Sequence, residues 1–382
     1  MKKLRIISML SVAVLLTSVL AGCKPKVSED KIKIGGLAPL TGNVALYGQA
    51  VYNAARIAIE EINEKGGILG KQIEYKCLDE KGDSQEAVNA YNQLFDDFGM
   101  VALIGDVTSK PTKAVAQKAQ KDNMPMITPS GSEESITNEG SNVFRTCFID
   151  PYQGKLMANY ASKELNAKSA AILFDTGDPY STGIADAFDA VAKELGMTIT
   201  NKEGYTSGST DFKTQLTKIK SSNPDVLLLP VYYNDVALIA VQAKQLGITA
   251  KLLGGDGWAG VQDKIDEKNI DVLANAYFCN QYDPTSTDSN VQNFLKKYKE
   301  RYNVDPIMFA VLGYDTVYIL AEAIERAGST DPDKIIAELK KTDYDGLTGK
   351  TIFNEKRNPV RLAYITTYEG NKEKVIKSYS VD

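Results

Sequence analysis

Apolar residues in this chain recur with two alternating periods. Short apolar runs at Lys31–Pro39, Gln72–Asp79 and Val101–Gly105 read as strands. Between the first two, Val51, Ala55, Ala58, Ile59 and Ile62 fall at helical spacing, and Gly66-Gly67 closes that helix. The same reading gives helices over Ala87–Phe98 and Pro111–Asp122, and strands over Met126–Pro129 and Val143–Phe148. A second series then begins with helix Tyr152–Leu165, strand Ser169–Asp175, helix Thr182–Leu195 and strand Thr198–Tyr205. It continues with helix Phe212–Ser221, strand Val226–Pro230, helix Val236–Leu246, and strands Lys251–Gly254 and Asn275–Asn280. Beyond Asp283 the pattern is helical over Val291–Tyr302 and Phe309–Ala327, then strand-like over Lys350–Phe353, Val360–Thr367 and Lys374–Ser380. Strands alternating with amphipathic helices predict βαβ units on parallel sheets. Two such series predict two α/β lobes, with a ligand cleft at the C-terminal ends of the strands.

The N-terminus breaks both periods. Lys2, Lys3 and Arg5 precede a continuous apolar run, Ile6 to Leu20, that ends in Leu20-Ala21-Gly22-Cys23. This is the layout of a secretory signal rather than of a membrane span, and the last four residues have the form of a bacterial lipobox. Residues 1–22 are therefore expected to be removed, leaving Cys23 with a diacylglyceryl group on its thiol and an acylated amine, enough buried methylene for stable anchoring. Lys24 to Asp30 follows as a polar tether, giving a tether over 23–30. A plain secretory peptide with an incidental cysteine is the alternative. Either way the domain is expected outside the cytoplasm, lipid-anchored to the cell membrane in the first case.

Composition narrows the function. The chain has 382 residues, 43% hydrophobic and 24% charged, ordinary values for globular domains with real cores. It carries 44 Lys+Arg against 49 Asp+Glu, an acidic balance that makes nucleic acid an improbable partner and that deepens once the basic leader is removed. Histidine is absent, which removes the Ser-His-Asp arrangement and every His-containing zinc site, so an enzyme is disfavoured; no CxxC pair suggests a metal, and a binding role would imply no cofactor. A Ser-Lys hydrolase would need the two side chains to face each other, whereas Ser109 and Lys110 are adjacent. Besides Cys23 there are Cys77, Cys147 and Cys279, three thiols without a CxxC pair, read mainly as small buried residues with one optional disulfide.

Three loops that follow strands concentrate polar groups. Ile104 to Pro111 leads from a strand into a helix, where Ser109 is either an N-cap or part of an anion site at the helix N-terminus. Ile127 to Ser132 ends another strand in hydroxyls and a glycine, and reads equally as a Ser/Gly turn. Leu253-Gly254-Gly255-Asp256-Gly257-Trp258 sets an acid among glycines beside the chain's single tryptophan, where Asp-Gly alone marks a surface turn. Brought together, the three would offer hydroxyls and N–H groups for a carboxylate and an anion for an ammonium, the two poles of a free α-amino acid.

A resemblance rests on residues spread over the mature chain. Gly36-Leu37-Ala38-Pro39-Leu40-Thr41-Gly42, Tyr47-Gly48, Asn53-Ala54-Ala55, Ile62-Asn63 with Gly66-Gly67-Ile68, Pro129-Ser130-Gly131-Ser132 and Phe144-Arg145-Thr146 come in this order in the first half. Asp175, Tyr180, Gly183, Gly208, Asp211, Phe212, Asp225, then Gly346-Leu347-Thr348-Gly349 and Phe353 continue it. In this order they resemble the leucine/isoleucine/valine-binding proteins of ABC importers. The resemblance implies a type I periplasmic-binding-protein fold: two Rossmann-like lobes joined by three hinge crossings near Ile149, Gln281 and Phe353. Lobe 1 would comprise 31–149 plus 282–353, and lobe 2 would comprise 150–281 plus 354–382. It further implies that Ser109 and Ser132 bind the ligand carboxylate, that Ser130 offers its backbone carbonyl to the ammonium, that Tyr232 closes over the ligand, and that Asp256 pairs with the ammonium. Tyr47, Tyr180 and Phe309 would form aromatic walls. The disulfide that some relatives form from a cysteine at the place of Cys77 should be absent, since its partner position is Thr108. The implied function is capture of a branched-chain or other apolar amino acid for the permease subunits of an ABC importer, by a protein expected to be monomeric. Aromatic amino acids, short amides, urea, or a role as a ligand-presenting sensor component are the alternatives.

Overall fold

The computed structural model describes residues 28–381. The first sheet is formed by β1 (Ser28–Ala38), β2 (Lys71–Asp79), β3 (Ala102–Ile104), β4 (Met126–Thr128) and β5 (Val143–Arg145), in the spatial order β2-β1-β3-β4-β5 and parallel throughout. The crossovers are α1 (Ala45–Glu64), α2 (Ser84–Asn92) and α3 (Ser109–Lys121), with a 3-10 turn at Glu134–Asn138 between β4 and β5. Strands β3, β4 and β5 are buried at every position, as expected where helices cover both faces of a parallel sheet. After α1 the chain reverses at Gly66-Gly67; Gly67 has φ +80°, and a Cβ there would lie 1.8 Å from the Lys71 carbonyl oxygen, so only glycine fits.

The chain then enters a second sheet. β6 (Ser169–Asp175), β7 (Thr198–Tyr205), β8 (Val226–Leu228), β9 (Lys251–Gly254) and β10 (Ala276–Asn280) are parallel, in the order β10-β9-β8-β6-β7. Helices α4 (Asp150–Lys163), α5 (Pro179–Glu194), α6 (Lys213–Ser222) and α7 (Tyr233–Gln245) accompany them. Three further helices follow, α8 (Ser289–Tyr302), α9 (Met308–Ala327) and α10 (Pro332–Leu339), then the hairpin β11 (Asp343–Gly346) and β12 (Gly349–Ile352). Finally β13 (Ala363–Glu369) and β14 (Lys372–Tyr379) add antiparallel to the β10 edge of the second sheet. Helix α9 returns to the first sheet, where Val317, Leu320 and Ile324 pack with Ile32 and Ile34 of β1 and Ala55 and Ala58 of α1. Leu156 of α4 and Ile184 and Phe188 of α5 pack with Ile172 and Leu228 of the second sheet.

Most predicted elements are present, with shifted ends. β1 starts at Ser28, inside the segment read as tether, because Ser28 already pairs with Lys71. β5 stops at Arg145, where Phe148 was expected, since Phe148 donates its N–H to the Gln281 side chain instead of a strand neighbour. The helix expected over Ala87–Phe98 begins at Ser84, capped by the Asp83 carboxylate, and continues as a π-helical stretch over Gln93–Phe98. Helix α10 and strand β11 are additions to the sequence reading. Among the described residues no helix is long and apolar enough to cross a membrane. Cys77, Cys147 and Cys279 are free thiols. Cys23 lies outside the described residues.

Candidate functional site

The polar loops all sit at the C-terminal ends of strands, the place where open parallel sheets hold ligands. From the first sheet, β3 delivers Ser109 as the first residue of α3, with Thr108 in the capping position. The Ser109 hydroxyl oxygen accepts the backbone N–H groups of Ser132 and Glu133, each at 3.2 Å. Its lone pairs are thus engaged while its proton remains available to an acceptor, such as a carboxylate at this helix N-terminus. Ser130 donates its hydroxyl to the Val107 carbonyl at 2.7 Å, so its side chain ties the two loops together rather than facing a ligand. Ser132 is buried, and its carbonyl accepts the Asp150 N–H at 3.0 Å.

The aromatic residues converge from both sheets. Tyr47 on α1 stacks on Phe309 of α9 with ring centroids 4.0 Å apart, and meets Tyr232 edge-on at 5.8 Å. Tyr232, the residue before α7, stacks in turn on Tyr180 of α5 at 4.8 Å. The Tyr47 hydroxyl donates to the Gly257 carbonyl at 2.5 Å and accepts the Tyr233 N–H at 3.1 Å, so a first-sheet helix is bonded to two second-sheet loops.

Asp256 follows β9 in a 3-10 turn, Asp256–Trp258, and is only 2% exposed, which removes the surface-turn alternative. Burial pushes its carboxyl up to about 6, against the pull of hydrogen bonds from the Tyr180 and Gln153 side chains and the Gly257 N–H. The Gln281 amide donates to its Oδ2 at 3.5 Å. No lysine or arginine is paired with Asp256 among the described residues. A buried carboxylate held by neutral donors alone is an acceptor suited to a small cation that enters with the ligand.

Sequence reasoning missed the residues that join the two halves. Asp150 opens α4, is fully buried, and accepts a hydrogen bond from the Gln153 amide at 3.3 Å. The Gln153 carbonyl oxygen accepts the Asp256 N–H at 2.8 Å. Ser132, Asp150, Gln153 and Asp256 therefore form one chain of polar contacts across the cleft. Asp150 and Gln153 follow the Phe144-Arg145-Thr146 segment at an i, i+3 spacing, and that spacing at a strand exit was the available signal.

Paired parallel sheets with a buried polar site between their strand ends define a binding protein of the type I periplasmic fold. The chain belongs to the periplasmic binding protein family, whose family model matches residues 31–373. It is 34% identical over 328 residues to the Leu/Ile/Val-binding protein BraC3 of Rhizobium johnstonii, covering 85% of this chain and 88% of that one. It is 29% identical over 353 residues to the leucine-, isoleucine-, valine-, threonine- and alanine-binding protein of Pseudomonas aeruginosa, covering 91% of each. Among solved structures it is similar to the branched-chain amino acid transporter substrate-binding protein LivJ of Streptococcus pneumoniae in complex with isoleucine. That match has TM-score 0.84, 34% identity, and covers 92% of this chain and 99% of that one. The leucine-binding protein LivK of Thermotoga maritima matches with TM-score 0.84, 32% identity, and 91% and 99% coverage.

Proposed function

We propose that this protein captures a free α-amino acid with a branched aliphatic or other apolar side chain, and delivers it to the permease of an ABC importer. The observation that carries this reading is Asp256, a buried acid without a cationic partner, connected across the cleft to the serine loops. In this reading Ser109 and Ser132 with the α3 N-terminus hold the carboxylate, Asp256 and the Ser130 carbonyl hold the ammonium, and Tyr47, Tyr180, Tyr232 and Phe309 enclose the side chain. Lobe 1 comprises 31–149 plus 282–353 and lobe 2 comprises 150–281 plus 354–382, hinged near Ile149, Gln281 and Phe353. The protein binds rather than converts its ligand, acts as a monomer outside the cytoplasm, and is tethered to the membrane through acylated Cys23. The tether is tested by intact mass of membrane-extracted protein, where a soluble species beginning elsewhere would remove it.

Calorimetry over the twenty amino acids and short amides tests the ligand class. Leucine, isoleucine or valine should outrank aspartate, glutamate, lysine and arginine, since a charged side chain would be buried against aromatic rings without a partner. In Asp256→Asn the ammonium loses its counter-charge inside a closed site, at a cost on the order of 2–5 kcal/mol, or roughly 30-fold or more in affinity. Ligand-free Asp256→Asn should melt no lower than wild type, because the removed carboxylate is one that burial disfavours. Near-wild-type affinity in this variant would refute the assignment of the ammonium to Asp256.

A further inference from the structure

The site contains a second acid that the ligand reading leaves unused. Asp150 is 0% exposed, and one of its carboxyl oxygens, Oδ2, makes no hydrogen bond within the described residues. The other, Oδ1, receives the Gln153 amide, the same side chain whose carbonyl oxygen holds the Asp256 backbone. A single glutamine thus touches both acids. A buried carboxylate oxygen without a donor is costly, and two buried carboxyls bridged by one side chain cannot both be charged cheaply.

We infer that Asp150 holds a proton in the empty site and gives it up when the ligand's ammonium enters, so that amino-acid capture is coupled to release of a proton. The inference rests on the proposed amino-acid ligand. The proton leaves the Asp150 carboxyl for solvent, and the ammonium arrives already protonated, so the exchange balances with the two carboxylates sharing one cation.

The surroundings of Asp150 favour the protonated form until that cation is present. Burial raises its carboxyl well above the ordinary value, and the charges of Asp256 and Asp178 add to the rise. The Ser132 hydroxyl and the Arg145 guanidinium pull the other way without cancelling it. Arg145, on β5, is occupied with the Gly131 and Glu134 carbonyls and is not in ion-pair contact with Asp150. Helix α5 closes the remaining side, its Gly183 so near that a Cβ there would lie 3.2 Å from the Asp150 Cβ. The Tyr180 and Tyr232 hydroxyls and the Cys147 and Cys279 thiols also sense this carboxyl, and each is itself raised by burial, so none supplies a charge at neutral pH.

Because the ligand selects the deprotonated pair, affinity should rise with pH, by up to about tenfold per pH unit for each proton released. Isothermal titration at pH 7.5 in phosphate, HEPES and Tris, whose ionisation enthalpies differ, counts protons with leucine as the probe. At this pH Asp256 is already ionised, so its own titration contributes little. The wild-type protein should release about one proton per leucine bound. Asp150→Asn should bind leucine about tenfold more weakly and release none, and Asp150→Ser serves the same purpose if the amide does not fold. Binding heat that is independent of buffer in wild type would overturn the inference while leaving amino-acid capture intact. Undiminished proton release in Asp150→Asn would also overturn it. Absence of heat with every amino acid would remove the ligand reading and this inference with it.

Discussion

Glu80 and Asp106 are both fully buried, at the ends of β2 and β3. Each uses one oxygen on the backbone: Glu80 accepts the Gly82 N–H at 2.8 Å and Asp106 accepts the Val107 N–H at 2.5 Å. Burial raises both carboxyls, and the negative charge of Asp106 raises Glu80 further, so the pair is expected to retain one proton at neutral pH. The linkage follows from that proton. The folded protein keeps it where the unfolded chain has lost it, so the pair's contribution to stability falls as pH rises above the ordinary glutamate range, by at most about 1.4 kcal/mol per pH unit. Glu80→Gln supplies a permanent donor to Asp106 without a titrating proton. Its melting temperature should therefore fall less steeply than that of wild type between pH 6 and 9. Parallel melting curves for the two proteins would exclude the retained proton. The effect bears on the site because Asp106 begins the loop that carries Ser109.

At the scale of elements, the chain was most legible where burial is periodic. Helix α1 carries Val51, Ala54, Ala55, Ala58 and Ile62 on one face, and both that pattern and its stop at Gly66-Gly67 are legible in the sequence. Its first turn is not. The helix begins at Ala45, before the regular apolar series starts at Val51, because Gly48 lets it press on the preceding loop: a Cβ there would lie 2.1 Å from the Pro39 carbonyl oxygen. α10 escaped because it is only 8 residues long, although Asp331 and Pro332 form a helix start. β11 escaped because Asp343–Gly346 has no buried position and exists only through pairing with β12. The site was legible to the same extent. Ser109, Ser132 and Asp256 lie in loops dense with hydroxyls and glycines, which stand out against apolar strands. Asp150, Gln153 and Gln281 do not stand out, because each is an isolated polar residue near a crossing between sheets, and Gln153 and Gln281 gain their significance from Asp256 and Phe148, more than 100 residues away. The Ser130 hydroxyl is conspicuous in sequence but is turned toward Val107 in the structure, which leaves its backbone carbonyl, the group the resemblance assigns to the ammonium, as what it can contribute to the site.

At the scale of the whole molecule, the two sheets meet through a small set of contacts in which Tyr47 is central. Its ring packs with Phe309, and in the core it shares with Leu229, Val231 and Trp258, from the loops after β8 and β9, it is entirely buried. Around it, the Tyr233 hydroxyl accepts the Leu46 N–H at 3.4 Å, Asn234 donates to the Asn43 carbonyl, and Lys110 reaches the Gly177 carbonyl at 3.3 Å. The lysine contact is exposed and lies at the cleft rim, so it adds little; the Tyr47 hydroxyl bonds are buried and directional. Tyr47→Phe keeps the ring stack but leaves the Gly257 carbonyl and the Tyr233 N–H without their buried partner. In the proposed hinge opening water would reach both groups, so the loss would fall on the closed arrangement. The variant should therefore lower leucine affinity by about 1–3 kcal/mol, or roughly 5- to 150-fold, chiefly through faster release. The ligand-free protein should scatter X-rays with a larger radius of gyration than wild type under the same conditions, because the open form gains population. If stopped-flow release rates and the radius of gyration were both unchanged in Tyr47→Phe, closure would be governed by the aromatic stacking alone, and the hydroxyl bridge would have no part in holding the two sheets together.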